Sequence, residues 1–227
     1  MKFPIEIRAV AFDLDGTLVE TLPDLHEAAN RMLADIGRFA VTEATVRGYV
    51  GNGVQRLVAR LLDADEVGEP VAELFDRAAA SFDRHYTEVL TRASTPYPDV
   101  FSTLASLRHR GLKLACVTNK PKRFAEPLLK HLALMPELDL VLSGDSLSRK
   151  KPDPLPLLHV AGVFGVPPAR LLMIGDSSAD TGAARAAGCP VFCVPYGYRG
   201  NLEVQELDCD AIVPTLNDVL ELIRFPE

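Results

Sequence analysis

The chain has 227 residues, 48% of them hydrophobic, and a formal net charge of −7. Its length leaves one large domain or two smaller ones open, and its apolar share is that of a globular chain with a buried core. The negative balance without a basic block argues against a nucleic-acid partner, and no apolar stretch approaches the roughly 18 residues of a membrane span or forms a signal-peptide core near Met1, so the cytoplasm is the expected compartment.

Arg8-Ala9-Val10-Ala11-Phe12 is a short apolar run of the kind found in a strand covered on both faces. It ends in Asp13-Leu14-Asp15-Gly16-Thr17. Two carboxylates at the end of a buried strand need compensation for their charge, and Gly16 permits a turn by which the chain leaves the sheet. On the residues alone, three readings of the pair are open. It is a solvated loop, a set of oxygen ligands for a divalent cation, or a nucleophile and its proton-transfer partner acting on phosphorus beside a metal.

Thr21-Leu22-Pro23-Asp24 reads as a helix start, with Thr21 as N-cap, Pro23 in the first turn and Asp24 at the third helical position. Leu22, Leu25, Ala29, Met32, Leu33 and Ile36 follow at helical spacing, and Gly37 is the expected stop. A second short helix is predicted over 42–49 and is broken by Gly51-Asn52-Gly53. A third carries Val54, Leu57, Val58, Leu61 and Leu62, and a long one runs from Pro70 to about Leu90. No strand pattern interrupts residues 21–92. They are expected to form an all-helical domain inserted after the first strand, with 1–20 and 93–227 as the core.

Beyond Thr95-Pro96-Tyr97-Pro98 the pattern becomes an alternation of helix and strand. Helices are predicted over 99–110, 121–132, 154–164 and from about Ala179 to Gly188, with a last one near 216–224. Strands are predicted over 112–117, 138–142, 171–174, 190–194 and 211–213. Alternating units of this kind build a parallel sheet with right-handed crossovers.

Parallel strands share a direction, so the polar residues that follow them meet at one edge of the sheet. Those residues are Asp13 and Asp15, Thr118-Asn119-Lys120, Lys150-Lys151-Pro152, and Gly175-Asp176-Ser177-Ser178-Ala179-Asp180. Each has a plainer reading taken singly: a helix cap at Thr118-Asn119, a solvated loop at Lys150-Lys151, a turn at Gly175-Asp176-Ser177. Their coincidence at the ends of strands in one sheet favours a site.

Together these four segments resemble, in order and over the whole chain, the motifs of the haloacid dehalogenase-like phosphohydrolases. The resemblance implies a Rossmann-like α/β core of strand order 3-2-1-4-5 with an inserted all-helical cap domain. Thr21-Leu22-Pro23-Asp24, Tyr49-Val50-Gly51-Asn52-Gly53-Val54, Thr118-Asn119-Lys120-Pro121 and Lys150-Lys151-Pro152-Asp153-Pro154 look, more narrowly, like the bacterial phosphoglycolate phosphatase branch.

By that resemblance Asp13 is the nucleophile and Asp15 the proton donor and later base. Thr118 and the amide of Asn119 hold phosphoryl oxygens, and Lys151 offsets the charge of nucleophile and phosphate. Mg²⁺ is implied on a carboxylate oxygen of Asp13, the backbone carbonyl of Asp15, and Asp176. Asp180 and Ser177 stand behind them, Asp180 orienting water or Lys151. Asn52 and Arg56 are the cap candidates for reading the substrate, a small phosphate ester; an exposed helix arginine without a specific contact is the competing view of Arg56.

The loop Tyr196-Gly197-Tyr198-Arg199-Gly200 carries no assigned role. The four cysteines show no C-x-x-C spacing and the five histidines no ligand pattern, so the cysteines read as reduced residues of or near the core. A phospho-receiver module is the alternative from another class, disfavoured by Asp15, the long insertion and Asp176. A sugar-phosphate phosphatase or mutase on the same core is the alternative within the enzymes, a haloalkanoate dehalogenase being disfavoured because it has no need of Asp15 as proton donor. The oligomeric state is open between monomer and homodimer.

Overall fold

The structure is a computed structural model that describes residues 2–51, 53–62, 72–200 and 202–225. The chain begins with β1 (Ile5–Glu6) and β2 (Ala9–Phe12). Next comes β3 (Val19–Glu20), which pairs antiparallel with β4 (Thr95–Pro96). Between these two arms lie α1 (Leu22–Asp35), α2 (Glu43–Tyr49), α3 (Val54–Leu62) and α4 (Ala72–Val89). Strand and helix then alternate through α5 (Val100–His109), β5 (Lys113–Val117), α6 (Lys122–His131), β6 (Leu140–Leu142), α7 (Leu155–Phe164), β7 (Leu171–Gly175), α8 (Ser178–Ala187) and β8 (Val191–Cys193). The chain finishes with β9 (Ala211–Ile212), α9 (Val219–Leu222) and β10 (Ile223–Arg224).

The main sheet is parallel, in the order β6-β5-β2-β7-β8-β9. The apolar run that predicted a doubly covered strand lies at its centre. Val10 and Phe12 pack in one core with Leu104, Leu107 and Phe124, and Ala9 and Ala11 pack in the other with Leu157, Val160 and Ala183. The alternation of large and small side chains along β2 thus matches the two helical layers it separates. Phe12 is in register with Cys116 of β5 and Ile174 of β7, so Asp13 ends its strand level with the loops after both neighbours. The connections diverge to either side of β2, which opens the crevice typical of such sheets.

The four inserted helices share one apolar cluster with the α5–α6 side of the sheet, through Leu14, Leu18 and Val19. All four cysteines are free, and Cys116, Cys189 and Cys193 are buried.

Two local expectations change, and a third residue gains a role. Thr21 occupies the N-cap position of α1, but its side chain makes no capping bond; its hydroxyl donates to Asp15 instead, at 2.7 Å. Asp24 stands at the third helical position, as expected, and has a further role there. It is buried and accepts from the Ala93 and Ser94 amides at 2.9 Å each and from the Ser94 hydroxyl at 2.6 Å, tying the two ends of the insertion together. The last helix stops at Leu222, because the following residues pair in parallel with β1 as β10. The β3–β4 pair is not legible in the sequence: two residues per strand leave too short a pattern to read. The predicted start of the long helix at Pro70 lies outside the described residues.

Candidate active site

Asp13 continues the β2 ladder, donating its N–H to Ile174 at 2.9 Å. Its Oδ1 accepts from the Leu14 amide at 2.7 Å and from Lys151 Nζ at 2.9 Å, while Oδ2 has no donor among the described residues. Lys151, in the loop before α7, is 2% exposed and reaches Asp180 Oδ1 at 2.6 Å as well. The solvated-loop reading of this lysine therefore fails. Burial alone would favour its neutral amine, but Asp13 and Asp180 outweigh that and raise its pKa, so the ammonium persists.

The first turn of α8 fixes Asp180. Its Oδ2 accepts from the amides of Ser177 (3.0 Å) and Asp176 (3.2 Å) and from the Ser177 hydroxyl (2.7 Å). With Oδ1 on Lys151, both Asp180 oxygens are occupied, and the residue buttresses the lysine. Asp176 Oδ1 accepts from the Thr17 hydroxyl at 2.9 Å, and its Oδ2 from the Tyr198 amide. Gly197 makes that second contact possible, because a side chain there would overlap the Asp176 carboxylate.

Asp13, Asp176 and Asp180 bring carboxylate oxygens within 4.8 Å of one another. Burial pushes the Asp13 carboxyl up to about 7, against the pull of Lys151, with Asp180 adding to the rise. Burial, then Asp180 and Asp13, raise Asp176 as well. Three buried carboxylates facing one ammonium leave uncompensated negative charge. A hard divalent cation fits that charge and that oxygen donor set.

Asp15 lies on the cleft side. Its Oδ1 accepts from Thr21 and, at 2.8 Å, from Lys120 Nζ. Thr118 is buried, with its hydroxyl accepting from the Lys120 amide at 3.1 Å. The alternative of Thr118-Asn119 as a simple cap does not hold: Pro121 takes the N-cap position of α6, and Asp145 accepts the Lys122 amide at 2.9 Å. Asn119 donates from Nδ2 to the Lys151 carbonyl at 3.0 Å, which binds the loops after β5 and β6 together.

Asp13, Asp15, Thr118, Asn119 and Lys120 form the floor of a cleft. Leu25, Val50, Val54 and Leu57 roof it from the inserted helices, with Gly51 and Gly53. The strand-end residues Asp13, Asp15, Thr118, Asn119, Lys151, Asp176, Ser177 and Asp180 are thus brought to one place. Arg56 is not: it is exposed on α3, makes no hydrogen bond or ion pair among the described residues, and does not line the cleft. Asn52 lies outside the described residues.

Two further participants have no role assigned from the sequence. Lys120 lies in the motif Thr118-Asn119-Lys120, and the strand-end rule that locates Thr118 applies to it equally. Tyr198 follows β8 at the same edge and was open to the same rule.

A family model of the haloacid dehalogenase-like hydrolases matches residues 7–188. A phosphoglycolate phosphatase of Thiobacillus denitrificans is 51% identical over 222 residues, 98% of either chain. One of Nitrosospira multiformis is 49% identical over 224 residues, 99% of either chain. The crystal structure of a predicted phosphoglycolate phosphatase from Haemophilus somnus 129pt is similar with a TM-score of 0.90 at 35% identity, over 95% of this chain and 97% of that one. With a match across most of its length and the strand-end carboxylates and lysine gathered at one sheet edge, this chain belongs to the haloacid dehalogenase-like hydrolases.

Proposed function

We propose that this protein is a Mg²⁺-dependent phosphomonoester hydrolase that acts through an aspartyl-phosphate on Asp13, converting 2-phosphoglycolate to glycolate and phosphate. The observation that carries the chemistry is the state of Asp13: one oxygen is held by Lys151 at 2.9 Å, and the other has no donor among the described residues. The substrate is taken from the relatives, which are named phosphoglycolate phosphatases.

Asp13 Oδ2 attacks phosphorus as the ester P–O bond breaks, and Asp15 gives its proton to the departing alkoxide. Asp15 then takes a proton from water, whose oxygen attacks phosphorus and releases Asp13. Thr118 and the amide of Asn119 hold the phosphoryl oxygens. Lys151, kept in place by Asp180, offsets negative charge on the nucleophile and the phosphate. Asp13, Asp176 and the backbone carbonyl of Asp15 would hold Mg²⁺, whose charge favours approach of the carboxylate to an anionic phosphate. The inserted unit, residues 21–92, screens the reaction from water, and the setting is cytoplasmic; no described helix is long and apolar enough to cross a membrane.

The test is phosphate release with Mg²⁺ from 2-phosphoglycolate, hexose phosphates, pyrophosphate and 4-nitrophenyl phosphate, with Asp13→Asn in parallel. The expected result is the highest kcat/KM on 2-phosphoglycolate and no turnover by Asp13→Asn. Wild-type activity in Asp13→Asn would overturn the mechanism, and a better substrate among the others would overturn the substrate.

A further inference from the structure

Asp15 is held by a buried chain of contacts that leads out of the sheet and into the helical insertion. Lys120 Nζ donates to Asp15 Oδ1 at 2.8 Å and to the Tyr86 hydroxyl at 2.6 Å. Lys120 is 4% exposed. Its backbone is pinned at both ends of the peptide, the amide to Thr118 Oγ1 at 3.1 Å and the carbonyl to the Gly144 amide at 2.9 Å. Tyr86, fully buried on α4, is fixed in turn by its rings' neighbours, with Phe124 at 4.8 Å and Phe82 at 5.5 Å between centroids. Its ring face also lies 4.7 Å from the Lys120 ammonium.

The consequence lies in which Asp15 oxygen is free. Lys120 and Thr21 both occupy Oδ1, so an acid proton belongs on Oδ2, the oxygen without a donor among the described residues. The buried ammonium thus fixes the orientation of the carboxyl and selects the atom that carries the proton. We propose that Lys120, seated by Tyr86 of the helical insertion, is the residue that positions Asp15 for protonation of the leaving alcohol. This rests on the function proposed above. It adds that the proton donor is assembled jointly by the core and the insertion, so that α4 must be in place before a poor leaving group can depart.

Positioning a proton donor matters only where the leaving group needs the proton. An alkoxide cannot leave without one, whereas 4-nitrophenolate can. The experiment is single-turnover phosphorylation of Asp13 by 2-phosphoglycolate, ethyl phosphate and 4-nitrophenyl phosphate in wild type, Lys120→Met and Tyr86→Phe, with thermal melts recorded for each. General acid catalysis is worth roughly 10²–10⁴-fold. Lys120→Met is therefore expected to slow both alkyl esters by about 100-fold and 4-nitrophenyl phosphate by no more than about 3-fold. Tyr86→Phe keeps the ring, and is expected to show the same selectivity at about 5- to 10-fold; it decides the matter should Lys120→Met fail to fold.

Equal slowing of aryl and alkyl esters in a folded variant, or none on the alkyl esters, would overturn the proposal. A loss confined to 2-phosphoglycolate would also overturn it, by assigning Lys120 to the substrate carboxylate. Absence of Asp13 labelling in wild type would instead sink the function on which it rests, and the proposal with it.

Discussion

Replacing Asp24 by alanine separates two accounts of that residue by their magnitude. As an acid in the first turn of α1, it would be worth about 0.3–1 kcal/mol through the helix dipole. In the structure its side chain is 2% exposed and is the acceptor for three donors, the Ala93 and Ser94 amides and the Ser94 hydroxyl. Each buried donor left without an acceptor costs about 1–3 kcal/mol. The Ser94 hydroxyl can rotate and the amide of the exposed Ala93 can recover water, so those two stand at the low end. Relief of the buried carboxylate's desolvation offsets part of the sum. The expected loss is about 2–4 kcal/mol, or roughly 10 °C in Tm for a chain of this size. Calorimetry and urea unfolding at pH 7 measure it. Ser94→Ala serves as the control, since it removes one hydroxyl and should cost about 1 kcal/mol. An Asp24→Ala protein within about 1 kcal/mol of wild type would refute the idea that this carboxylate clasps the ends of the insertion.

Gly197→Ala would drive a methyl group into Asp176 and displace the loop that supplies the Tyr198 amide; weaker Mg²⁺ binding by calorimetry, by at least 10-fold, is the expected outcome. Added Mg²⁺ should raise Tm in proportion to the logarithm of its concentration above Kd, and Asp176→Asn should flatten that response. Asp35 on α1 accepts from Ser81 (2.6 Å) and His85 (2.8 Å) of α4, and these hydrogen bonds lower its carboxyl pKa. Because the folded value lies below the unfolded one, its stabilisation is present above about pH 4 and is lost as pH falls through the folded value. Asp35→Asn should therefore be less stable than wild type at pH 6, with the gap closing on acidification in pH-dependent melts.

Much of the site was legible because it obeys a rule that needs only chain order. Once β2, β5 and β7 are recognised as parallel strands, the residues after each must meet at one edge, and Asp13, Thr118 and Asp176 do. The unbroken apolar run Ala9-Val10-Ala11-Phe12 likewise marked a strand covered on both faces. Contacts that depend on how a helix is rotated or where a loop returns are not legible in this way. Ala78, Phe82, Tyr86 and Val89 share one face of α4 by their spacing, but a hydrophobic period says nothing of a hydroxyl finding an ammonium in another segment.

By itself, then, the amino-acid order determined the class of fold, the interruption of the sheet by helices, and the strand-end carboxylates and lysine, since each follows from local periodicity and the shared direction of parallel strands. Only the tertiary structure decided that Asp24 clasps the insertion, that Tyr198 grips Asp176, and that Lys120 is seated against Asp15 by Tyr86. Those are pairings of buried polar groups far apart in the chain. Burial obliges each to find a partner, but which partner comes within 3 Å is settled by the packing of the apolar surfaces around them.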